Sequence, residues 1–369
     1  MKNIMRWIRL VLLLFVPIFC VAAVNFIGDT ANLFHSSGNK EIALSILAGN
    51  ATHGVGAMDE RGVKRALIEN LPDEVDTLAF GPSIVMCVNK SIVGTESFYN
   101  LGESGADYYD ILAQFAFLEL NHKKYKRVIF CADFDFLNKG RRGDRHLPFM
   151  SYAEFMLSVL HGKAQTSVKN SLYASFWNIK TVARQLVSIQ YFQGATRVFY
   201  QLLRNRGKRF GLITKENADL YSYYENDASW VYDAKYRNST VNDVVKQCRD
   251  YLNPKTEGNK LNDFCAVNEH LSDEVKETFS LLMEYLQNNG VEILIYFCPL
   301  PPTLYDLYDM DLRPLLPEAD CFIRQYASDH NIRVTGSYNP YELGMSDADF
   351  YDARHVRREK LGVYFDFVR

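Results

Sequence analysis

The sequence predicts a three-layer α/β sandwich around a central parallel sheet, and two patterns predict it. Five short apolar runs are nearly continuous rather than alternating, as strands buried on both faces require: Asp76–Phe80, Ser97–Leu101, Arg127–Ala132, Val291–Cys298 and Ile332–Thr335. Helix-periodic segments fall between them, Tyr108–Asn121 before the third run, Asp273–Asn288 before the fourth and Ala319–His330 before the fifth. Strands alternating with helices at this spacing imply right-handed crossovers. Loops at the carboxyl ends of such strands collect functional residues, and Ser83, Gly102 to Gly105 and Asp133 to Asp135 all fall there.

Ahead of the first strand, residues 1–28 form a separate physical object. Lys2, Arg6 and Arg9 precede an uncharged, mostly apolar run from Leu10 to Ile27. At about 1.5 Å per helical residue it nearly spans a hydrocarbon core of about 30 Å, so it reads as a membrane segment or a signal peptide. Cys20-Val21-Ala22-Ala23 is a weak cleavage site, which favours an uncleaved anchor. The basic flank then stays in the cytoplasm, and residues 29–369 lie outside it.

Between the third and fourth strands the pattern is interrupted by residues 139–272, read as a helical cap over the carboxyl edge. Tyr152–Leu160 and Ser171–Leu203 have helical character, and a Tyr/Asn/Asp-rich segment runs from Asn217 to Tyr236. The formal net charge of -3 gives no global field for nucleic acid or for an anionic membrane surface. Of seven cysteines, Cys87, Cys131 and Cys298 read as buried thiols. Cys248 and Cys265 flank a polar stretch and are the best-placed disulfide pair, although spacing alone leaves connectivity open. No His/Cys spacing points to a metal, and no cofactor is called for.

The chemistry-bearing residues are Ser83, at the Gly81-Pro82-Ser83 break after the first strand, and the pair in Asp352-Ala353-Arg354-His355. A serine hydroxyl becomes a nucleophile when a base within hydrogen-bond reach takes its proton, and a third group fixes the base's tautomer. Ser83, His355 and Asp352 fill those roles. The bland alternatives are a strand-ending or capping serine, and an aspartate capping a closing helix with His355 on its first turn. Gly102 and Gly105 suit either turns or backbone donors, and Asp133 and Asp135 either a substrate site or a solvated strand end. Arg354, Arg357 and Arg358 are either surface charge or a means of orienting an anionic substrate.

These residues carry a resemblance. The chain resembles the SGNH (GDSL-type) hydrolase superfamily, and within it the membrane-anchored branch of lipoteichoic-acid D-alanylation and alginate O-acetylation proteins. The matching stretches are Asn25-Phe26-Ile27-Gly28-Asp29, Gly81-Pro82-Ser83, Asn100-Leu101-Gly102-Glu103-Ser104-Gly105 and Asp352-Ala353-Arg354-His355. A Gly-x-Ser-x-Gly elbow is absent, because Gly81-Pro82-Ser83-Ile84-Val85 lacks the second glycine.

The resemblance implies a flavodoxin-like sheet and an extracytoplasmic esterase or O-acyltransferase acting on a surface glycan or envelope polymer. It implies an oxyanion held by the N–H groups of Ser83 and Gly105, no metal, and a multi-spanning membrane partner delivering the acyl group. One block departs from it. Where the superfamily supplies an asparagine donor, this chain reads Ala132-Asp133-Phe134-Asp135, and an ionised aspartate donates no hydrogen bond. That departure, with the aromatic-rich cap, leaves open a catalytically degenerate scaffold that binds glycan. A metal-dependent phosphodiesterase built on Asp133 and Asp135 is a third, weaker reading.

Overall fold

The computed structural model describes residues 2–29, 37–55, 58–137, 146–163, 168, 180, 183–252 and 270–365. Its centre is a five-stranded parallel sheet, β2 (Glu74–Phe80), β3 (Phe98–Asn100), β4 (Lys124–Cys131), β8 (Glu292–Phe297) and β9 (Arg333–Gly336), in the spatial order β3-β2-β4-β8-β9. Thr77, Leu78, Ala79 and Phe80 are all fully buried although successive side chains point to opposite faces. Both faces of the sheet are therefore covered, which is why these strands read as continuous apolar runs.

Three predicted helices form close to their expected ends. They are α5 (Tyr108–Leu120), α10 (Asp273–Asn288) and α12 (Leu315–Asp329), the last two separated by the short α11 (Pro302–Leu307), and they follow the four earlier helices α1 (Lys2–Gly28), α2 (Ser37–Leu47), α3 (Glu60–Asn70) and α4 (Lys90–Val93). Sequence chemistry sets where they start. Asp107 caps α5 by accepting from the Tyr109 and Asp110 N–H groups, with Asp110 reaching back in a capping box, and Ser272 caps α10 through the Val275 N–H.

The segment between β4 and β8 holds helices α6 (Met150–Leu160), α7 (Ile189–Arg204), α8 (Ala234–Arg237) and α9 (Val241–Leu252), and also short strands. β5 (Phe210–Leu212), β6 (Tyr223–Tyr224) and β7 (Trp230–Val231) join β1 (Thr52–Gly54) in an antiparallel sheet of order β5-β1-β6-β7. Two- and three-residue strands carry too little periodicity to be seen in the sequence. The expected helix over Ser171–Leu203 lies partly outside the described residues, as does Cys265; Cys248 is a buried free thiol.

Among the described residues no helix is long and apolar enough to cross a membrane. The side chains described in α1 include exposed Leu13, Phe15, Val16, Ile18 and Phe19. Its last turn is tied down. Asn25 Nδ2 donates to the carbonyls of Gln185, Leu186 and Ser188 at 2.9–3.0 Å, and the Tyr191 hydroxyl donates to Asp29 at 3.1 Å.

The chain leaves β2 for β3 on one side and then crosses to β4 on the other, so the order reverses beside β2. Crevices at such reversals, outside the carboxyl ends of the strands, are where open sheets bind ligands. Gly81 makes the turn there, with a φ of +148° and a site where an added Cβ would sit 2.6 Å from Cys131 Cβ. Gly81→Ala should cost at least about 2 kcal/mol through backbone strain and this clash, measured as a lower urea midpoint at unchanged slope.

Candidate active site

Four loops meet at the carboxyl edge. The first follows β2, where Ser83 opens the 3-10 turn Ser83–Val85. The second, Leu101 to Ala106, follows β3. Asn100, fully buried, joins the two: its Nδ2 donates to the Val85 and Val88 carbonyls at 2.8 Å, and its Oδ1 accepts from the Gly102 N–H at 2.8 Å. This engagement removes Gly102 as an oxyanion donor, and Val85 Cγ1, 2.7 Å from where a Cβ would stand, explains why a glycine is needed. Gly105 sits at φ +58°, and among the described residues its N–H and that of Ser83 donate to no carbonyl.

The base arrives from the far side of the sheet. His355 lies beyond β9, three strands from β2, so its loop must cross about 14 Å at the usual strand spacing. Phe350 pairs with Val356 in an isolated antiparallel bridge, the Tyr351 N–H donates to the His355 carbonyl at 2.8 Å, and Asp352 Oδ1 accepts the Arg354 and His355 N–H groups at 2.7 and 2.8 Å. The result is a tight turn that holds aspartate and histidine side by side. It is not the first turn of a helix, since α13 begins only at Arg358 and ends at Leu361.

Ser83 Oγ lies 2.8 Å from His355 Nε2, and His355 Nδ1 lies 2.9 Å from both oxygens of Asp352. Asp352 is an acceptor only, which assigns the ring proton to Nδ1 and leaves Nε2 to accept from the serine. Burial alone would raise the Asp352 pKa, but the electrostatic pull of the His355 ring, hydrogen bonds from His355 and Tyr236, and the Arg354 N–H hold it well below the usual carboxylate range. It stays ionised, as an orienting group should.

Tyr236, on α8, was not foreseen. Its hydroxyl donates to Asp352 Oδ2 and lies 3.1 Å from His355 Nδ1, and its ring stacks on Tyr232 at 4.2 Å. Burial, then the Asp352 charge, pushes its pKa up, so it remains a donor. The surrounding Tyr-rich composition was visible in the sequence, but nothing in it singled out this tyrosine. Tyr236→Phe removes one hydrogen bond to a charged group, and the rate at which a fluorophosphonate labels Ser83 should fall about tenfold.

The other expected residues are placed differently. Asp133 is buried in an ion pair with Arg354 at 2.6 Å, so it is neither an oxyanion group nor a free metal ligand. The Asp135 side chain lies outside the described residues. The three arginines are neither loose surface charge nor open to an anionic substrate. Arg357 donates to the Arg237 and Ser239 carbonyls at 2.7 Å, and Arg358 to Glu225 and the Trp230 carbonyl at 2.6 Å. All three fasten the histidine turn, two of them to the inserted segment. That segment also reaches the nucleophile turn, where the Trp230 N–H donates to the Met86 carbonyl at 2.7 Å.

Behind the glycine loop lies a buried charged cluster. Arg61 grips Asp110 through two bonds of 2.6–2.7 Å, and Lys64 Nζ, fully buried, donates to the Asn100 and Ala228 carbonyls at 2.6 and 2.8 Å. Burial lowers the Lys64 pKa to about 8 and raises that of Glu103 to about 8, against the pull of Arg61 on the latter. Between the ordinary glutamate value of 4.5 and about 8 the folded chain therefore holds more protons at Glu103 than the unfolded one, so this group lowers stability as pH rises through that window. Glu103→Gln should flatten that decline, read from urea midpoints at pH 5, 6.5 and 8.

No protein-family model matches the chain, and no curated protein matches it significantly.

Proposed function

We propose that this chain is an SGNH-like, membrane-anchored serine acyl esterase or O-acyltransferase that works outside the cytoplasm on a surface polysaccharide or envelope polymer. The observation that carries the reading is the 2.8 Å contact between Ser83 Oγ and His355 Nε2, with Asp352 bonded to the other ring nitrogen. The sheet order, equivalent to the flavodoxin-like arrangement, and the three-residue spacing of Asp352 and His355 in one turn support the same assignment.

In the mechanism, Ser83 Oγ attacks an acyl carbonyl as His355 Nε2 takes its proton, and Asp352 stabilises the imidazolium. The N–H groups of Ser83 and Gly105 receive the oxyanion. The tetrahedral intermediate collapses as His355 protonates the leaving alcohol, and the acyl group remains on Ser83. A glycan hydroxyl or water, deprotonated by the same ring, then takes it, and the serine recovers its proton. No metal or organic cofactor enters these steps. A multi-spanning membrane partner would supply the acyl donor. With Asp133 and Asp135 where the superfamily supplies an asparagine, the hole has fewer donors, and one donor is worth about 10²–10³ in rate. That deficit favours a slow, substrate-dependent transferase, and it is also what favours the second reading, a glycan-binding scaffold.

A fluorophosphonate probe separates the two. Labelling at Ser83 that disappears in Ser83→Ala, with acyl turnover down by about 10³-fold or more and folding intact, is the expected result. Glycan binding without any labelling at Ser83 would establish the scaffold instead.

A further inference from the structure

The net charge of -3 conceals a strong asymmetry. Between Glu154 and Glu216 the sequence holds ten lysines and arginines and no aspartate or glutamate. The remainder of the chain consequently carries a net charge of -13. α7 lies within this acid-free stretch, and its outward face combines charge with apolar surface.

Ile189, Tyr200 and Leu203 are 73%, 55% and 65% exposed. Their spacings of eleven and three residues put them on one stripe of the helix, interrupted by the exposed Gln193 and Thr196 and opposite the buried Ala195, Val198 and Leu202. Arg197 and Arg204 are exposed on the flank of the stripe, Arg204 lying 4.6 Å from the Tyr200 ring centroid. A helix with aromatic and aliphatic residues on one side and arginines beside them suits the interface of a bilayer.

The end of α1 packs on the face of α7 that carries Ala195 and reaches the stripe at one place, where Ile27 and Leu203 line the same cleft. A Cβ on Gly28 would fall 2.3 Å from the Ala195 carbonyl oxygen, so the two helices cross at backbone contact. Arg209 donates to the Ile27 carbonyl at 2.7 Å, and the exposed Phe26 and Ile27 follow the apolar side chains of α1. Ile27, Phe199, Leu202 and Leu203 line a cleft of about 510 Å³ together with Arg206, Arg209 and Glu41.

We propose that α7 is a second membrane contact: it lies along the surface of an anionic phospholipid bilayer, its apolar stripe in the headgroup region and its arginines against lipid phosphates. Each arginine near such a surface adds attraction that salt weakens. α1 then enters the bilayer at the point where α7 crosses it, and the domain is held in a fixed orientation rather than swinging on a tether. The apolar stripe is what favours a membrane over a polyanionic glycan. The inference does not depend on the chemistry at Ser83, and its test reads lipid contact, not turnover.

The full chain is placed in nanodiscs containing phosphatidylglycerol and doxyl-labelled lipid, with Cys20, Cys265 and Cys321 changed to serine. An environment-sensitive fluorophore is attached at Leu203→Cys or, as a control on exposed Glu277 of α10, at Glu277→Cys. The label at 203 should shift to the blue and lose emission to the quencher, while the label at 277 does neither. Adding Arg197→Glu and Arg204→Glu should reverse the loss at 203. Equal behaviour at the two positions overturns the proposal. So does a response at 203 to soluble polyphosphate without lipid quenching, which would mark a glycan-binding face. Quenching indifferent to both charge reversals would overturn the role given to the arginines.

Discussion

The site depends on one ion pair. His355 follows the far edge strand, and a loop long enough to cross to β2 has many places to lie. Arg354, the residue before the histidine, closes on Asp133 at the end of β4, two of the three strand steps along that path. Side-chain exposures of 11% and 4% make the pair nearly dry, and removing one partner of such a pair strands the other charge at a cost of about 3–5 kcal/mol. The Tyr338 hydroxyl, bonded to the Ala132 carbonyl at 2.6 Å, adds a neutral fastening beside it. The aspartate that stands where an oxyanion amide was expected thus does a different job: it holds the base in place.

A second constraint comes from the inserted segment. Tyr236 meets Asp352, the Arg237 and Ser239 carbonyls hold Arg357, and Glu225 with the Trp230 carbonyl holds Arg358. On its other side the same segment accepts the Asn100 N–H at the Asp227 carbonyl and bonds the Met86 carbonyl. Both halves of the site lean on it. It is a brace between nucleophile and base as well as a wall around them.

Much of this was legible in the sequence. Strands buried on both faces announce themselves as continuous apolar runs, and all five fell within a few residues of their observed positions. The serine, histidine and aspartate could be paired because the Asp352–His355 spacing fits one turn and Ser83 ends a strand. What escaped were long-range contacts with no periodic or local signature: the Asn100 bridge, Tyr236 at the carboxylate, and the arginine fastenings. Arg354 and Asp133 are 221 residues apart, and nothing local in either stretch announces the other. The small antiparallel sheet was hidden for another reason, since strands of two or three residues are made by their partners rather than by their own side chains.

Ser83 and His355 are 272 residues apart, and every tie that brings them together is made by chain lying between or beyond them. A contact of such separation closes late, after the loop entropy of the intervening polypeptide has been overcome. Until then the Ser83 hydroxyl has no imidazole beside it, so nothing in a partly folded chain is placed to take its proton. The pairing of Ser83 with His355 is thereby timed to the completion of folding.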